Sequence, residues 1–194
     1  MPEVLDSCFG DDYPIENINH CPNDEVVAGL STKLYYIVEP HVATFTNPPK
    51  EGTYEEIATI PAAGLVPVTG KGWKKIDVLV NKNQLQNLTV GTRGIKKLKG
   101  QIDVFIPGFR AKLVGFQRAH LNSRLIFGIK DSSGQMWIIG NKINPSYFEN
   151  LTLASGDTDE ADAGLTGQIM ANTSIFAYNG DMTVLADSTT PETP

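Results

Sequence analysis

Residues 125–139 read LIFGIKDSSGQMWII and form the clearest β-hairpin pattern in the chain. Apolar side chains occupy every second position on either side of a central turn, as expected for strands with one buried face. The turn, Asp131-Ser-Ser-Gly134, places glycine where the backbone needs a positive φ. The alternating positions are Leu125, Phe127, Ile129, Trp137 and Ile139. We therefore predict two antiparallel strands joined by a tight turn.

Further strands are predicted on both sides of this hairpin from period-2 alternation or from runs of β-branched and aromatic residues. They cover residues 33–38 with a continuation at 42–45, then 73–80, 102–106, 147–154, 167–178 and 182–186. Asn179-Gly180 is a dipeptide typical of tight turns, so it is predicted to join the last two strands as a hairpin.

One helix is predicted, over residues 109–121. Phe109, Leu113 and Phe116 share one stripe at helical spacing, and this stripe is expected to pack on a sheet. His120 extends the stripe by one turn, and we interpret it as a hydrogen-bonded histidine at the edge of the core. The fold class is therefore mainly β (α+β), an antiparallel β-sandwich or barrel with one flanking α-helix.

The predicted domain organisation is one β domain with extended termini. It consists of an acidic N-terminal arm (1–32), a single domain (33–186) and a flexible C-terminal tail (187–194). Residues 46–72 form a long connection between strands, and long connections in compact domains are usually functional or disordered. Its apolar side chains suggest either a binding surface or a loop that folds back over its own core.

Charge is divided into three blocks along the sequence. Residues 1–70 carry a net charge of −9, residues 71–148 carry +11, and residues 149–194 carry −8. Such segregation contributes nothing to topology, but opposite patches on copies of the chain can pair. The alternative is that two solvated acidic ends flank a domain with a basic face. The densest basic tract, residues 93–99, is expected to be a solvated or partner-facing strand.

The sequence favours neither an enzyme nor a cofactor-binding protein. The three histidines are not accompanied by a Gly-x-Ser-x-Gly elbow, and no glycine pattern has the spacing of a phosphate loop. The acidic run 157–162 resembles a calcium loop, but it lacks the glycine at the sixth position. Abundant surface carboxylates do not define an acid and a base. We expect no catalytic residue, no cofactor and no metal.

Cys8 and Cys21 both lie in the acidic N-terminal segment. Two free thiols are the default interpretation, and a disulfide between them is the alternative if the protein matures outside a reducing compartment. With His20 they offer too few ligands for structural zinc. No run approaches the roughly 18 apolar residues of a membrane span, so we expect a soluble protein without a membrane partner.

Two segments together suggest a family. Residues 102–119 read IDVFIPGFRAKLVGFQRA, and residues 125–140 read LIFGIKDSSGQMWIIG. A strand, a Pro-Gly, a short helix and a hairpin with an acidic Ser-Gly turn follow one another, and a late block at 164–184 holds further strands. This order resembles the major tail (tail tube) protein of tailed phages over residues 73–186. The acidic N-terminal segment has no counterpart in the resemblance.

The resemblance implies a structural virion protein. Copies would join edge to edge into rings, usually hexameric, and the rings would stack into a tube that conducts DNA. The implied partners are further copies of the chain, other tail proteins and genomic DNA, which passes through an acidic lumen without specific binding. The implied locations are the virion tail and, during assembly, the host cytoplasm.

The subunit-interface candidates belong to three groups. The lysines are expected to face the acidic residues of a neighbouring subunit, so that reversing either set impairs assembly and reversing both partly restores it. The apolar loop is expected to reach the adjacent ring. The candidates are Lys71, Lys74 and Lys75, then Asp157, Asp159, Glu160 and Asp162, and then Ile60, Leu65 and Val66. Alternative functions are another tail component (a tail terminator, a distal tail protein or a baseplate hub protein) and a soluble β-barrel that binds a small ligand or an oligonucleotide.

Overall fold

The structure, a computed structural model, describes residues 16–19, 28–157 and 162–185. The described residues form twelve strands, one α-helix and three short 3-10 segments, so the fold is mainly β as predicted. The strands are β1 (Leu30–Val38), β2 (Val42–Phe45), β3 (Thr59–Ile60), β4 (Leu65–Pro67), β5 (Lys74–Asp77), β6 (Gln84–Val90), β7 (Lys97–Pro107), β8 (Leu125–Asp131), β9 (Met136–Ile139), β10 (Tyr147–Ala154), β11 (Gly164–Ala171) and β12 (Phe176–Tyr178). The helix is α1 (Ala111–His120), and the 3-10 segments are Glu39–His41, Glu56–Ala58 and Ala62–Gly64.

The predicted hairpin is confirmed as β8 and β9, which lie in the middle of a six-stranded sheet ordered β3-β12-β9-β8-β1-β5. Phe127 pairs with Ile139, and Ile129 pairs with Trp137. The prediction of a single buried face was wrong for β8, because Ile126 is as fully buried as its neighbours. Other parts of the chain pack on both faces of this sheet, so the side chains on both faces of β8 are buried.

A second sheet of four strands, ordered β10-β11-β7-β6, packs against one face of the first. Strand β7 pairs with β6 from Lys97↔Val90 to Asp103↔Gln84. The shared core of the two sheets contains Ile102, Val104, Ile106, Leu113, Phe127, Leu165 and Ile169, all buried. The arrangement is a sandwich and not a closed barrel, which corrects the barrel form of the prediction.

Helix α1 begins at Ala111, two residues later than predicted. Gly108 has φ of 95° and Arg110 is extended with φ of −151°, so the backbone becomes helical only after them. Phe109 therefore lies outside the helix and is 56% exposed, which corrects its predicted place on the buried stripe. Leu113 is buried, and Phe116 packs against the same core.

Residues 46–72 fold back over the chain itself. They contribute β3 and β4, and Ile60 and Leu65 belong to a second core on the other face of the six-stranded sheet. Of the two interpretations of this connection, folding over its own core is therefore right for these residues. Val66 is 43% exposed and Val68 is 38% exposed, so part of the loop does present apolar surface.

The C-terminal strands differ from the prediction. The expected strand 167–178 is two strands in different sheets, since the chain crosses between layers at residues 172–175. β12 pairs with β9 and β3, so Asn179-Gly180 does not join a hairpin. Residues 182–185 make only an isolated bridge between Trp73 and Val184, because Met182 turns into the second core.

At the N-terminal side, β1 begins at Leu30, so the predicted arm (1–32) is too long by the first residues of this strand. Among the described residues, no helix has both the length and the apolar character needed to cross a membrane.

Candidate assembly surfaces

Strand β6 is an open edge of the four-stranded sheet. The backbone N–H of Phe105 in β7 donates to the side chain of Asn83, which directly precedes β6. Phe105 and every second residue before it in β7 therefore turn their backbone N–H and C=O groups towards β6. In antiparallel pairing only every second residue exchanges bonds with its partner strand. Leu85, Asn87 and Thr89 therefore turn their N–H and C=O groups to the open side.

Strand β10 is the opposite edge of the same sheet. The backbone N–H of Gly100 in β7 donates to the carbonyl of Thr173, which lies on the side of β7 away from β6. This bond shows which residues of β7 turn their backbone groups towards β11, and the strand registers extend the same alternation to β10. By this alternation Leu151 and Leu153 face the open side. The carbonyl of Leu151 accepts a 2.9 Å bond from Nε2 of Gln117 in α1, so the helix covers part of this edge and leaves Leu153 outside that contact.

The outer face of the four-stranded sheet carries a network of polar side chains, and Lys97 and Lys99 of β7 lie on the same face, because side chains alternate along a strand. Nε2 of Gln101 lies 3.0 Å from Asp103 Oδ2, and Nε2 of Gln168 donates to Asp103 Oδ1 at 3.1 Å. Nδ2 of Asn150 in turn lies 3.3 Å from Gln168 Oε1. A row of amides with a single carboxylate therefore crosses three strands, and exposed Thr152 and Thr166 continue the same face.

The two ends of this sheet carry opposite charge. The turn between β6 and β7 holds Arg93 and Lys96, with Ile95 75% exposed between them. The connection between β10 and β11 starts and finishes at the other end, where Gly164 pairs with Pro107, and its described residues include Asp157 and Asp162. Because β7 spans the full length of the sheet, the basic turn and the acidic connection point in opposite directions.

A cleft of about 230 Å³ separates α1 from the edge strand β5. Its apolar lining comes from Tyr36, Ile76, Ile106, Leu113 and Phe116. Its charged lining comes from Lys75, Arg110, Lys112 and Asp77, all exposed. Within the described part of the chain, none of the three cationic side chains forms an ion pair.

The three interface lysines lie close to this cleft but in different settings. Lys75 lines the cleft itself. Lys71 and Lys74 line a neighbouring depression to which Tyr36 also contributes, and Nζ of Lys74 donates to the carbonyl of Leu185 at 2.9 Å. Lys75 is therefore the lysine of this group that joins Arg110 and Lys112, two residues that sequence reasoning did not select.

The acidic interface candidates are only partly described. Asp162 forms a salt bridge with Lys82 of its own chain, and Asp157 is exposed. Asp159 and Glu160 lie outside the described residues, as do Cys8 and Cys21 with their possible disulfide. Among the apolar candidates, Ile60 and Leu65 are buried in the second core, which leaves Val66 as surface.

His120 lies at the end of α1 in an aromatic cluster. Its ring centroid is 4.8 Å from that of Phe116 and 5.5 Å from that of Tyr36. Nδ1 of His120 lies 3.2 Å from Oγ of Ser123, in agreement with the predicted hydrogen bond at the core edge. Burial lowers the pKa of His120, so the ring is neutral at neutral pH.

Comparison with protein-family models, with curated proteins and with solved structures finds no match to this chain.

Proposed function

We propose that this chain is a tail tube subunit of a tailed phage, which assembles into stacked rings around a DNA-conducting channel. The observation that carries the proposal is the pair of open edges, β6 and β10, on one four-stranded sheet. Exposed edges are a liability in a monomer unless they are covered or paired with another chain. Here one edge is open and the other is covered only in part by α1.

Pairing of β6 with the β10 edge of the next copy joins two different surfaces. A heterologous contact of this kind either closes into a ring or continues as a filament. Six copies would contribute about 24 strands, which at a spacing of about 4.8 Å gives a circumference of roughly 115 Å before strand tilt widens it. A closed sheet of this size leaves an open channel instead of a filled interior.

The outer face of the four-stranded sheet suits the wall of such a channel. The amides and hydroxyls of this face carry no charge, but Lys97 and Lys99 of β7 share the face with Gln101 and Asp103, and cationic contacts supply most non-specific DNA affinity. In the proposed tube, DNA would therefore be held only at the end of the wall that carries these two lysines. The proposed wall differs from the acidic lumen that the resemblance implies.

Stacking of rings is supported by the opposite charges at the two ends of the sheet. The basic turn with Arg93 and Lys96 at one end would meet the acidic connection around Asp157 of the next ring. Single exposed pairs contribute little, about 0 to 1 kcal/mol each, but a ring repeats every pair. In this arrangement the stacking partner of the acidic connection is the basic turn, and Lys71, Lys74 and Lys75 lie elsewhere.

The test is electron microscopy of the purified full-length chain across a concentration series, with sedimentation of the same samples. We expect rings or tubes of uniform diameter at high concentration. Monodisperse monomers throughout the series would contradict the proposal.

A further inference from the structure

The cleft between α1 and β5 combines an apolar floor with an excess of positive charge. Lys75, Arg110 and Lys112 face one carboxylate, Asp77, so the lining carries a net charge of +2. Charge complementarity therefore favours an acidic partner with apolar side chains. A short peptide segment of that composition fits the chemistry of the cleft better than a nucleic acid, whose bases need stacking platforms beside a longer basic track.

The chain itself contains such a segment in residues 1–15, which read MPEVLDSCFGDDYPI and lie outside the described residues. Four acidic side chains, with no basic one, alternate with apolar residues in this segment. The acidic residues are Glu3, Asp6, Asp11 and Asp12, and the apolar ones include Val4, Leu5, Phe9 and Tyr13.

The segment starts from the side of the molecule opposite the cleft. Oε1 of Glu16 accepts a 3.1 Å bond from the backbone N–H of Tyr54, a few residues before β3. β3 and β5 are the two outer strands of the six-stranded sheet. Five strand spacings of about 4.8 Å separate them by roughly 24 Å, and an occupant from the same copy would have to pass around the sheet.

The contact between copies shortens this path. Nδ2 of Asn87 in β6 donates to Ser174, in the segment that leads into β12 beside β3. Gln117 joins α1 to β10 at the other side of the molecule. Pairing of β6 with the β10 edge of the next copy would therefore place Ser174 of one copy and α1 of the other on the two sides of one contact.

We propose that residues 1–15 of one copy bind in the α1–β5 cleft of the neighbouring copy, with carboxylates on Lys75, Arg110 and Lys112. This inference rests on the proposed self-assembly. Fifteen extended residues span at most about 50 Å, which is ample for the distance to an adjacent cleft. The arm would link copies in one direction around the ring, as a heterologous contact does.

Cross-linking with the native Cys8 tests the contact directly. In full-length protein carrying Cys21→Ser and Ala111→Cys, a short bismaleimide would join Cys8 to the new thiol, which is exposed between Arg110 and Lys112. We expect a ladder of covalent multimers on a denaturing gel. The matched control places the thiol at exposed Asn144 instead, and there we expect roughly tenfold less cross-linking.

Two outcomes would overturn the inference. Cross-links found only within single chains would mean that the arm occupies the cleft of its own copy. Cross-linking no higher than in the control would mean that the arm binds elsewhere. The result is separable from the proposed function, which microscopy tests. A ladder without tubes would support the arm contact and contradict the tube, whereas tubes without a ladder would do the reverse.

Charge reversal separates contacts within a copy from contacts between copies. One variant reverses the cleft (Lys75→Glu, Arg110→Glu, Lys112→Glu), and the other reverses the arm (Glu3→Lys, Asp6→Lys, Asp11→Lys, Asp12→Lys). Each variant is made in the protein that carries Cys21→Ser and Ala111→Cys, and each alone is expected to form about tenfold fewer covalent multimers. An equal mixture should recover them, because each reversed surface then meets its complement on the other chain. Failure of the mixture to recover would contradict binding between copies.

Discussion

The indole Nε1–H of Trp137 donates a 2.8 Å hydrogen bond to Oδ2 of Asp131 across the hairpin of β8 and β9. The other carboxylate oxygen accepts the hydroxyl of Ser133 at 2.6 Å and the backbone N–H of Gln135 at 3.0 Å. Partial burial acts to raise the pKa of Asp131, but these hydrogen bonds outweigh it and lower the pKa below its ordinary value of 3.8. One side chain thus holds both the turn and the return strand.

Replacement of Asp131 by Asn is expected to lower the free energy of unfolding by about 1 to 2 kcal/mol at pH 7, because charge-assisted hydrogen bonds are lost. A depressed folded-state pKa contributes stability above the unfolded value, and this stability is lost as the pH falls through the folded value. The difference between wild type and variant should therefore shrink below about pH 4. Urea unfolding at several pH values measures it, and a difference that persists at pH 2 would contradict this account.

Gly140 and Gly134 provide a matched pair for backbone strain. Both have positive φ, 84° and 96°. A Cβ on Gly140 would lie 2.6 Å from the backbone nitrogen of Ser146, whereas a Cβ on Gly134 would meet only Lys130 Cε at 3.7 Å. We expect Gly140→Ala to lower the free energy of unfolding by more than about 3 kcal/mol and Gly134→Ala to lower it by about 1 kcal/mol. Equal losses in thermal unfolding would contradict the close approach at Ser146.

The loop residues Ile60 and Val66 should separate stability from assembly. Ile60 is fully buried, so Ile60→Ala is expected to cost about 2 to 5 kcal/mol of unfolding free energy. Val66 is 43% exposed, and Val66→Ala should cost less than about 1 kcal/mol. If Val66 contacts a neighbouring ring, its variant will raise the concentration needed for assembly without changing the denaturation midpoint.

Thr89 tests the open edge of β6. Its backbone N–H faces away from β7, so Thr89→Pro removes a donor from the edge without removing a bond within the sheet. We expect a folded monomer whose ring formation is reduced at least about tenfold, while Thr89→Ala assembles normally. Light scattering and microscopy report assembly, and circular dichroism reports the fold. Normal assembly of the proline variant would exclude pairing through this edge.

The opposite charges at the two ends of the four-stranded sheet can be tested by charge reversal and rescue. Reversal of Arg93 and Lys96 to Glu should impair the stacking of rings while single rings still form, and so should reversal of Asp157 to Lys. The combined variant should recover part of the tube length, because the pairs are restored with opposite sign. Tube length in micrographs is the measurement, and full-length tubes from either single set would show that these ends do not meet.

The sequence alone determined the elements whose pattern lies within one short stretch of chain. The hairpin of β8 and β9 follows from alternation and turn chemistry within residues 125–139, and the stripe of Leu113 and Phe116 predicted a helix that packs on the core. Strand β6 was missed because Gln84–Val90 is largely polar and directs only Leu85 into the core. An edge strand of this kind carries too little alternation to be recognised.

The tertiary structure decided what depends on partners distant in sequence. Ile126 is buried because the second core covers the outer face of β8, and residues 172–175 break a predicted strand because the chain changes sheets there. The same long-range order made β6 and the partly covered β10 the edges of the four-stranded sheet, and it placed Lys75 beside Arg110 and Lys112. The order of the residues determined that charge is segregated along the chain, but only the packing of sheets and helix decided which of those charges share a surface.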